Sequence, residues 1–238
     1  MNLKFTFFLC AIIASFVLTS CFNMFPCVKG SGEIIKEERD VDSFNKIELE
    51  TMGDIYIKQG EENALRVETD DNVIDLVKTE VKNDKLVIYS EKNICPEKLR
   101  FDLIVRDLNS IIVTGSGNIK TINDFTAEDF EIKILGSGDV RISEINARNI
   151  ELEVSGSGDV MLKGKSDRLI TEINGSGDIN AFGLEVKDVM IEINGSGDLS
   201  IHATNKLHIE INGSGDIVYK GDPEIKQEIF GSGDIIKK

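Results

Sequence analysis

An all-β fold, a single-stranded parallel β-solenoid with about 20 residues per coil, is predicted by three observations. Gly-Ser-Gly triplets beginning at Gly115, Gly136, Gly156, Gly175, Gly195, Gly213 and Gly231 recur at spacings of 21, 20, 19, 20, 18 and 18 residues, and all but the first are followed directly by Asp. A near-constant period of this size marks a chain wound into stacked, near-identical coils. Two places before each triplet stands Val113, Ile134, Val154, Ile173, Ile193, Ile211 or Ile229, always β-branched and aliphatic. The residue after the Asp or Asn is Ile119, Val140, Val160, Ile179, Leu199, Ile217 or Ile235, a second aliphatic column across the bend. Between the columns apolar residues alternate with Glu, Asn, Lys and Ser, the period of a half-buried strand. Successive coils would pair in parallel, wound right-handed by the usual crossover preference. Spaced ~4.8 Å apart, these rungs make a rod segment roughly 34 Å long.

Composition sets the outer bounds. A chain of 238 residues with 41% hydrophobic content can bury a continuous core, and 3 Pro with no Trp argue against disorder. The formal charge of −15 becomes −16 without the leader, whose only charged residue is Lys4. That balance excludes phosphate-backbone binding, so no nucleic-acid partner is expected, and it disfavours anionic lipid surfaces.

Residues 1–20 read as a leader: Lys4 gives a minimal positive start, Phe5 to Val17 form an apolar run, and Leu18-Thr19-Ser20-Cys21 follows. This resembles a bacterial lipoprotein signal peptide with its lipobox. A membrane-spanning helix needs about 20 strongly apolar residues, and Thr6, Ser15, Thr19 and Ser20 interrupt this shorter stretch. The resemblance implies that Cys21 is the lipidated first residue, whose acyl chains hold the protein to a membrane with the folded part outside the cytoplasm. Phe22-Asn23-Met24-Phe25 contains no acid, so neither an inner-membrane retention cue nor an acidic export cue is evident. The expectation is therefore an outer-membrane lipoprotein facing the periplasm or the surface. With Cys10 in the leader and Cys21 lipidated, Cys27 and Cys95 remain to pair or to stay free.

Residues 21–32, with Pro26 and Gly30-Ser31-Gly32, read as a tether, and 33–110 as an N-terminal cap with the first degenerate coils. Phe44 to Gly60 is an early copy of the repeat in which Met52-Gly53-Asp54 stands for Gly-Ser-Gly-Asp. Between Asp71 and Val81, valines 73, 77 and 81 at helical spacing predict a short helix capped by Asp71. Lys85 to Ser90 and Leu99 to Val105 alternate as strands.

Residues 111–238 form the repeat segment. Its bends use Gly115, Gly117, Gly136, Gly138, Gly156, Gly158, Gly175, Gly177, Gly195, Gly197, Gly213, Gly215, Gly231 and Gly233, because a tight bend needs positive φ or close approach to the next coil. At the C-terminal end Lys237 and Lys238 are placed to discourage edge-to-edge pairing.

The lipobox, the in-phase "INGSGD" units and the lead-in "SFNKIELETMGDIYIKQG" together resemble the bacterial family described as "putative auto-transporter adhesin, head GIN domain", over roughly residues 38–236. The resemblance implies a β-helical, cell-envelope, adhesin-like protein and brings no catalytic residues with it.

Asp139, Asp159, Asp178, Asp198, Asp216 and Asp234 fall in one column headed by Asn118. Stacked at about 4.8 Å, neighbouring carboxylates repel by roughly 0.9 kcal/mol in water. Backbone amides of the bends are the expected compensation. Calcium is the weaker reading, since each bend offers one carboxylate and one hydroxyl whereas calcium takes six to eight oxygens. No other metal and no cofactor is implied. Three places before the triplet stand Lys133, Glu153, Glu172, Glu192, Glu210 and Glu228, giving an acidic outer face. Asn174, Asn194 and Asn212 form an amide ladder beside it.

Nothing breaks the repeat to assemble a catalytic constellation, so the chain reads as no enzyme. His202 and His208 read as flanks of a solvated turn, and Arg141, Arg148 and Arg168 as scattered surface charges. The expectation is a non-catalytic, lipid-anchored adhesin-like or scaffold module with an unknown protein or glycan ligand. A carbohydrate-binding or carbohydrate-active β-helix is the alternative, and an envelope sensor or stress partner the third.

Overall fold

The computed structural model describes residues 26–238, so the leader and Cys21 lie outside the described residues. The chain forms a parallel β-solenoid entered through a folded cap. Winding begins with β3 (Lys46–Leu49) and β4 (Asp54–Gln59), joined at the Met52-Gly53-Asp54 bend. The chain then leaves the stack and returns at β10 (Ser110–Val113), which pairs parallel on β3, and β11 (Asn118–Thr121), parallel on β4. From there β12 (Phe125–Ile134), β13 (Val140–Val154), β14 (Val160–Ile173), β15 (Ile179–Ile193) and β16 (Leu199–Ile211) lie each on the last in parallel. The stack ends with β17 (Ile217–Lys220), β18 (Glu224–Ile229) and β19 (Ile235–Lys237).

The register brings like residues together. Val140, Val160, Ile179, Leu199, Ile217 and Ile235 form one continuous column, and Val113, Ile134, Val154, Ile173, Ile193, Ile211 and Ile229 another. All are buried except Ile235 and Ile229 in the last rung. Burying each such side chain stabilises by about 2 kcal/mol, which ties rung to rung. The unequal spacings are absorbed at the corner opposite the glycine bend. There β15 carries Phe182-Gly183-Leu184 between Ala181 and Glu185, where β16 passes straight from Ile201 to His202.

A buried polar side chain interrupts one aliphatic column. Thr171 occupies the column of Ile132, Leu152, Ile191 and Ile209, and its buried hydroxyl has no hydrogen-bond partner. An unpaired buried hydroxyl costs about 1–3 kcal/mol. Thr171→Val should therefore raise stability by about 1 kcal/mol in a urea melt, and an unchanged or lowered midpoint would mean that the hydroxyl is satisfied.

The cap is built from the excursion between β4 and β10. Strands β7 (Lys85–Ser90) and β9 (Leu99–Val105) pair parallel beneath β3 and β4 and so continue both faces of the solenoid. Antiparallel strands then close the edges: β6 (Val77–Lys82) on β7, β5 (Ala64–Asp70) on β9, and β2 (Ile34–Arg39) on β5. The helix predicted between Asp71 and Val81 is not there. A single 3-10 turn, Ile74–Leu76, leads directly into β6, and Asp71 does not cap it. Four-residue spacing is also an even spacing, so Val77 and Val81 fit a strand equally, and the Asn83-Asp84 hairpin turn decides for the strand. Both turn residues have positive φ, 52° and 58°, as a two-residue hairpin requires.

Residues 27–32, read from sequence as the end of a tether, are fastened to the cap. Cys27 and Cys95 are joined by a disulfide, and β1 (Val28–Lys29) pairs parallel with β8 (Ile94–Cys95). Asp70, fully buried, accepts hydrogen bonds from the backbone N–H groups of Gly32 at 2.8 Å and Glu97 at 2.9 Å. Burial pushes its carboxyl up, but these amides, with that of Lys98, outweigh burial and hold its pKa below the usual aspartate value. The depressed value makes the contribution of Asp70 complete above the ordinary aspartate range, near pH 4, and lost as pH falls through the lower folded-state value. Acid should thus loosen the cap, and Asp70→Asn should flatten the acid limb of its melting temperature against pH. An identical acid limb in the variant would remove Asp70 from the effect.

Candidate functional site

The bends place the residues that sequence singled out. None of the glycines in the repeat triplets from Gly115 to Gly233 has positive φ; the positive-φ glycines are Gly32, Gly53, Gly164 and Gly221. What the triplets require is proximity. A Cβ on Gly136, Gly156, Gly175 or Gly195 would fall far inside 3.0 Å of the carbonyl oxygen of the bend glycine one rung below, and the same holds for Gly138, Gly158, Gly177 and Gly197. The serine between them is exposed and engages the neighbouring rung through its backbone, as in Ser157 N–H to Gly136 O at 3.0 Å.

The predicted aspartates form a chain of hydrogen bonds. Asp139, Asp159, Asp178, Asp198 and Asp216 each use Oδ1 to accept the backbone N–H of the aspartate on the next rung, at 2.7–3.0 Å, ending at Asp234. At the other end Asn118 accepts the N–H of Asp139 and donates its own amide to Asp54. Such charge-assisted bonds are stronger than neutral ones and offset the repulsion between stacked carboxylates. The second oxygen of Asp139 accepts from Arg141 at 3.1 Å. Among the described residues, no group of three or more His, Cys, Asp or Glu side chains comes together as a metal cage.

The face leading into the bends carries the second set. Asn194 donates to Asn174 at 3.0 Å and Asn212 to Asn194 at 2.9 Å, an amide ladder. Each asparagine also donates to the glutamate two residues earlier on its own rung: Asn174 to Glu172, Asn194 to Glu192 and Asn212 to Glu210. Lys133 reaches Glu131 at 3.0 Å and Glu153 at 3.7 Å, while Lys226 reaches Glu228 at 3.1 Å. Glu172, Glu192 and Glu210 lie between these pairs in one column, and with Asn174, Asn194 and Asn212 beside them the middle of the face is an acid-and-amide strip two columns wide.

Beside that strip a hollow of about 400 Å³ is lined by Lys46, Ser110, Glu131, Glu151, Arg168 and Ile170 among others. Burial raises the Glu131 carboxyl, but hydrogen bonds from Ser110 and Lys133 bring it below the ordinary glutamate value. A carboxyl so held is ionised, the opposite of the raised value that a glycosidase acid requires. The same downward displacement holds for Glu68, Glu80, Asp102, Asp167 and Asp222, each beside a cation. The two histidines do not meet. Both lie within β16 rather than at a turn, His202 in register with Glu185 and Lys220, His208 with Met190 and Lys226. Arg148 pairs with Glu128 at 3.0 Å.

The Cys27–Cys95 bond, one of the two outcomes left open by the sequence, is formed, but sequence reasoning missed the buried carboxylate of Asp70 that holds Gly32. The Asp70-Asp71-Asn72 run does the fastening, its members binding Gly32, Ser31 and Lys29.

Residues 43–223 match the model of the family described as "Putative auto-transporter adhesin, head GIN domain". The chain belongs to this family. A crystal structure of a "putative adhesin" from Bacteroides fragilis NCTC 9343 is similar to it with a TM-score of 0.84 and 28% identity, covering 89% of this chain and 100% of that one. A "putative lipid binding protein" from Parabacteroides distasonis ATCC 8503 gives 0.77 and 27%, covering 90% and 100%. A "putative adhesin" from Parabacteroides distasonis ATCC 8503 gives 0.69 and 25%, again covering 90% and 100%. No curated protein matches the chain. A head GIN domain chain of this kind is adhesin-like, and the family points to a place outside the cell or in its envelope.

Proposed function

We propose that this head GIN domain protein is a lipid-anchored, non-catalytic binding module of the bacterial cell envelope. It is held at the outer membrane through Cys21 and presents the glutamate and asparagine strip to a partner. The observation that carries this reading is the unbroken register of the outer columns from β12 to β18. Repeated, flat and acidic, such a surface suits an extended ligand bearing regularly spaced cations or amides, a polypeptide or a glycan. Catalysis would need a site where the repeat is broken and polar groups converge. The anchor rests on Leu18-Thr19-Ser20-Cys21.

Two measurements test the proposal. Metabolic labelling with a palmitate analogue should mark the wild-type chain and not Cys21→Ala, and unlabelled wild type would sink the anchor. Binding of the purified full chain to glycan arrays and to whole cells should be lost on combining Glu172→Lys, Glu192→Lys and Glu210→Lys. Retained binding would move the site off this face.

A further inference from the structure

The C-terminal rung ends in a strand whose outer edge is unpaired among the described residues. β18 lies in register on β16, every residue of it is exposed, and the core columns surface there as Ile225 at 38% and Ile229 at 42% exposure. The register continues the interior columns through Ile225, Gln227 and Ile229, while Lys226 and Glu228 face outward above His208 and Glu210. Among the described residues, the strand therefore presents an open ladder edge above an uncovered apolar end.

Its sequence is self-complementary. Ile225-Lys226-Gln227-Glu228-Ile229, run antiparallel against itself about Gln227, sets Ile225 opposite Ile229, Lys226 opposite Glu228, and Gln227 opposite Gln227. A two-fold interface requires this relation, in which residue i meets j and j meets i. Directly opposed unlike charges and aliphatic pairs are what stabilise antiparallel neighbours. The polar residue in the interior column also finds a partner here. Gln227 stands where Ile191 and Ile209 stand below it, and an amide on the axis can donate to and accept from its own copy. Lys237, placed by the sequence to discourage edge pairing, is held by Asp222 at 2.6 Å and lies on β19, not on β18.

We propose that the β18 edge is a docking surface for a second copy of this chain, forming a tail-to-tail, two-fold pair with Gln227 on the axis. This deepens the reading of the protein as a binding module by naming one partner. The cap, which carries the N-terminal end of the described chain, then lies at the two far ends of the pair. With both ends anchored, the pair would lie along one membrane or join two. One strand pairing is a small interface of the weak, transient class, so assembly in solution should be weak and strongly concentration-dependent. Anchoring raises the effective concentration.

Sedimentation of the full chain in detergent should show concentration-dependent dimers. Lys226→Glu or Glu228→Lys alone sets like charges opposite each other and should weaken association about tenfold or more. The two together restore unlike pairs and should restore the dimer, a rescue that mere damage to folding would not give. Gln227→Cys should form a disulfide-linked dimer under mild oxidation, because facing residues of antiparallel strands have Cα atoms about 4.5–5.5 Å apart, within disulfide reach. Glu224→Cys, off the axis, should not. A chain that stays monomeric at high concentration, or a dimer indifferent to both single reversals, overturns the proposal. A monomer that still binds glycans or cells would sink self-pairing alone and leave the binding module standing.

Discussion

Gly158→Ala should cost at least about 3 kcal/mol, far more than one methyl group in a surface bend ordinarily does. The added Cβ would run into the Gly138 carbonyl, which is backbone and cannot swing away. Relief by lifting the rung is blocked as well, because Gly177 rests on the Gly158 carbonyl in the same manner. The strain would therefore spread through both neighbouring rungs. Two controls isolate the cause. Ser157→Ala, one residue earlier and exposed, should change stability by less than about 0.5 kcal/mol, since only its backbone engages the adjacent rung. Gly233→Ala makes the same clash with Gly215 but lies in the last rung, which can move outward, so its cost should be clearly smaller. Urea unfolding of the three variants gives the comparison. Equal losses at Gly158 and Gly233, or a loss below about 1 kcal/mol at Gly158, would mean that rungs are not held at this spacing.

That contrast also shows why the solenoid could be read from the chain. Wherever the same residue recurs in phase, its neighbour in space is its own counterpart, and one repeat predicts the contacts of the next. The aliphatic columns, the asparagine ladder and the match of Asp54 with Asn118 across the degenerate bend all follow from that rule. The cap obeys no such rule. β7 and β9 announce themselves by alternation, but their places beneath β3 and β4 depend on pairings across about 40 residues. Valines 73, 77 and 81 fit helix and strand alike, and only the hairpin partner decides between them. Asp70 carried no signal for burial, because the amides it accepts belong to Gly32 and Glu97, which nothing in the local pattern brings near. The column Glu153, Glu172, Glu192, Glu210 and Glu228 was legible from the repeat. The sharing of each ladder asparagine with a glutamate of its own rung was not, because alternation tells which way side chains point and not which of them bond.

Removing the disulfide should have the second largest effect, and a local one. Cys27→Ser with Cys95→Ser, made together so that no free thiol remains at the site, opens a closed loop with a sequence separation of 68. Chain entropy alone puts the stabilisation from such a closure at about 4 kcal/mol, an upper value because the cap can fray without the solenoid unfolding. The strands it clamps are two residues each, β1 and β8, too short to stay paired unaided. What remains to hold residues 27–32 is the carboxylate of Asp70 with the contacts of Ser31 and Asn72. Hydrogen exchange in the double variant should accelerate over residues 27–39 and 94–98, while the rungs from β13 to β16 keep their protection, since each is secured by its own neighbours. The same variant at low pH, where Asp70 is protonated, should release the segment altogether. Unchanged protection at 27–39 would show that the buried carboxylate suffices and the disulfide is redundant; loss of protection in the distant rungs would show that cap and solenoid unfold as one unit.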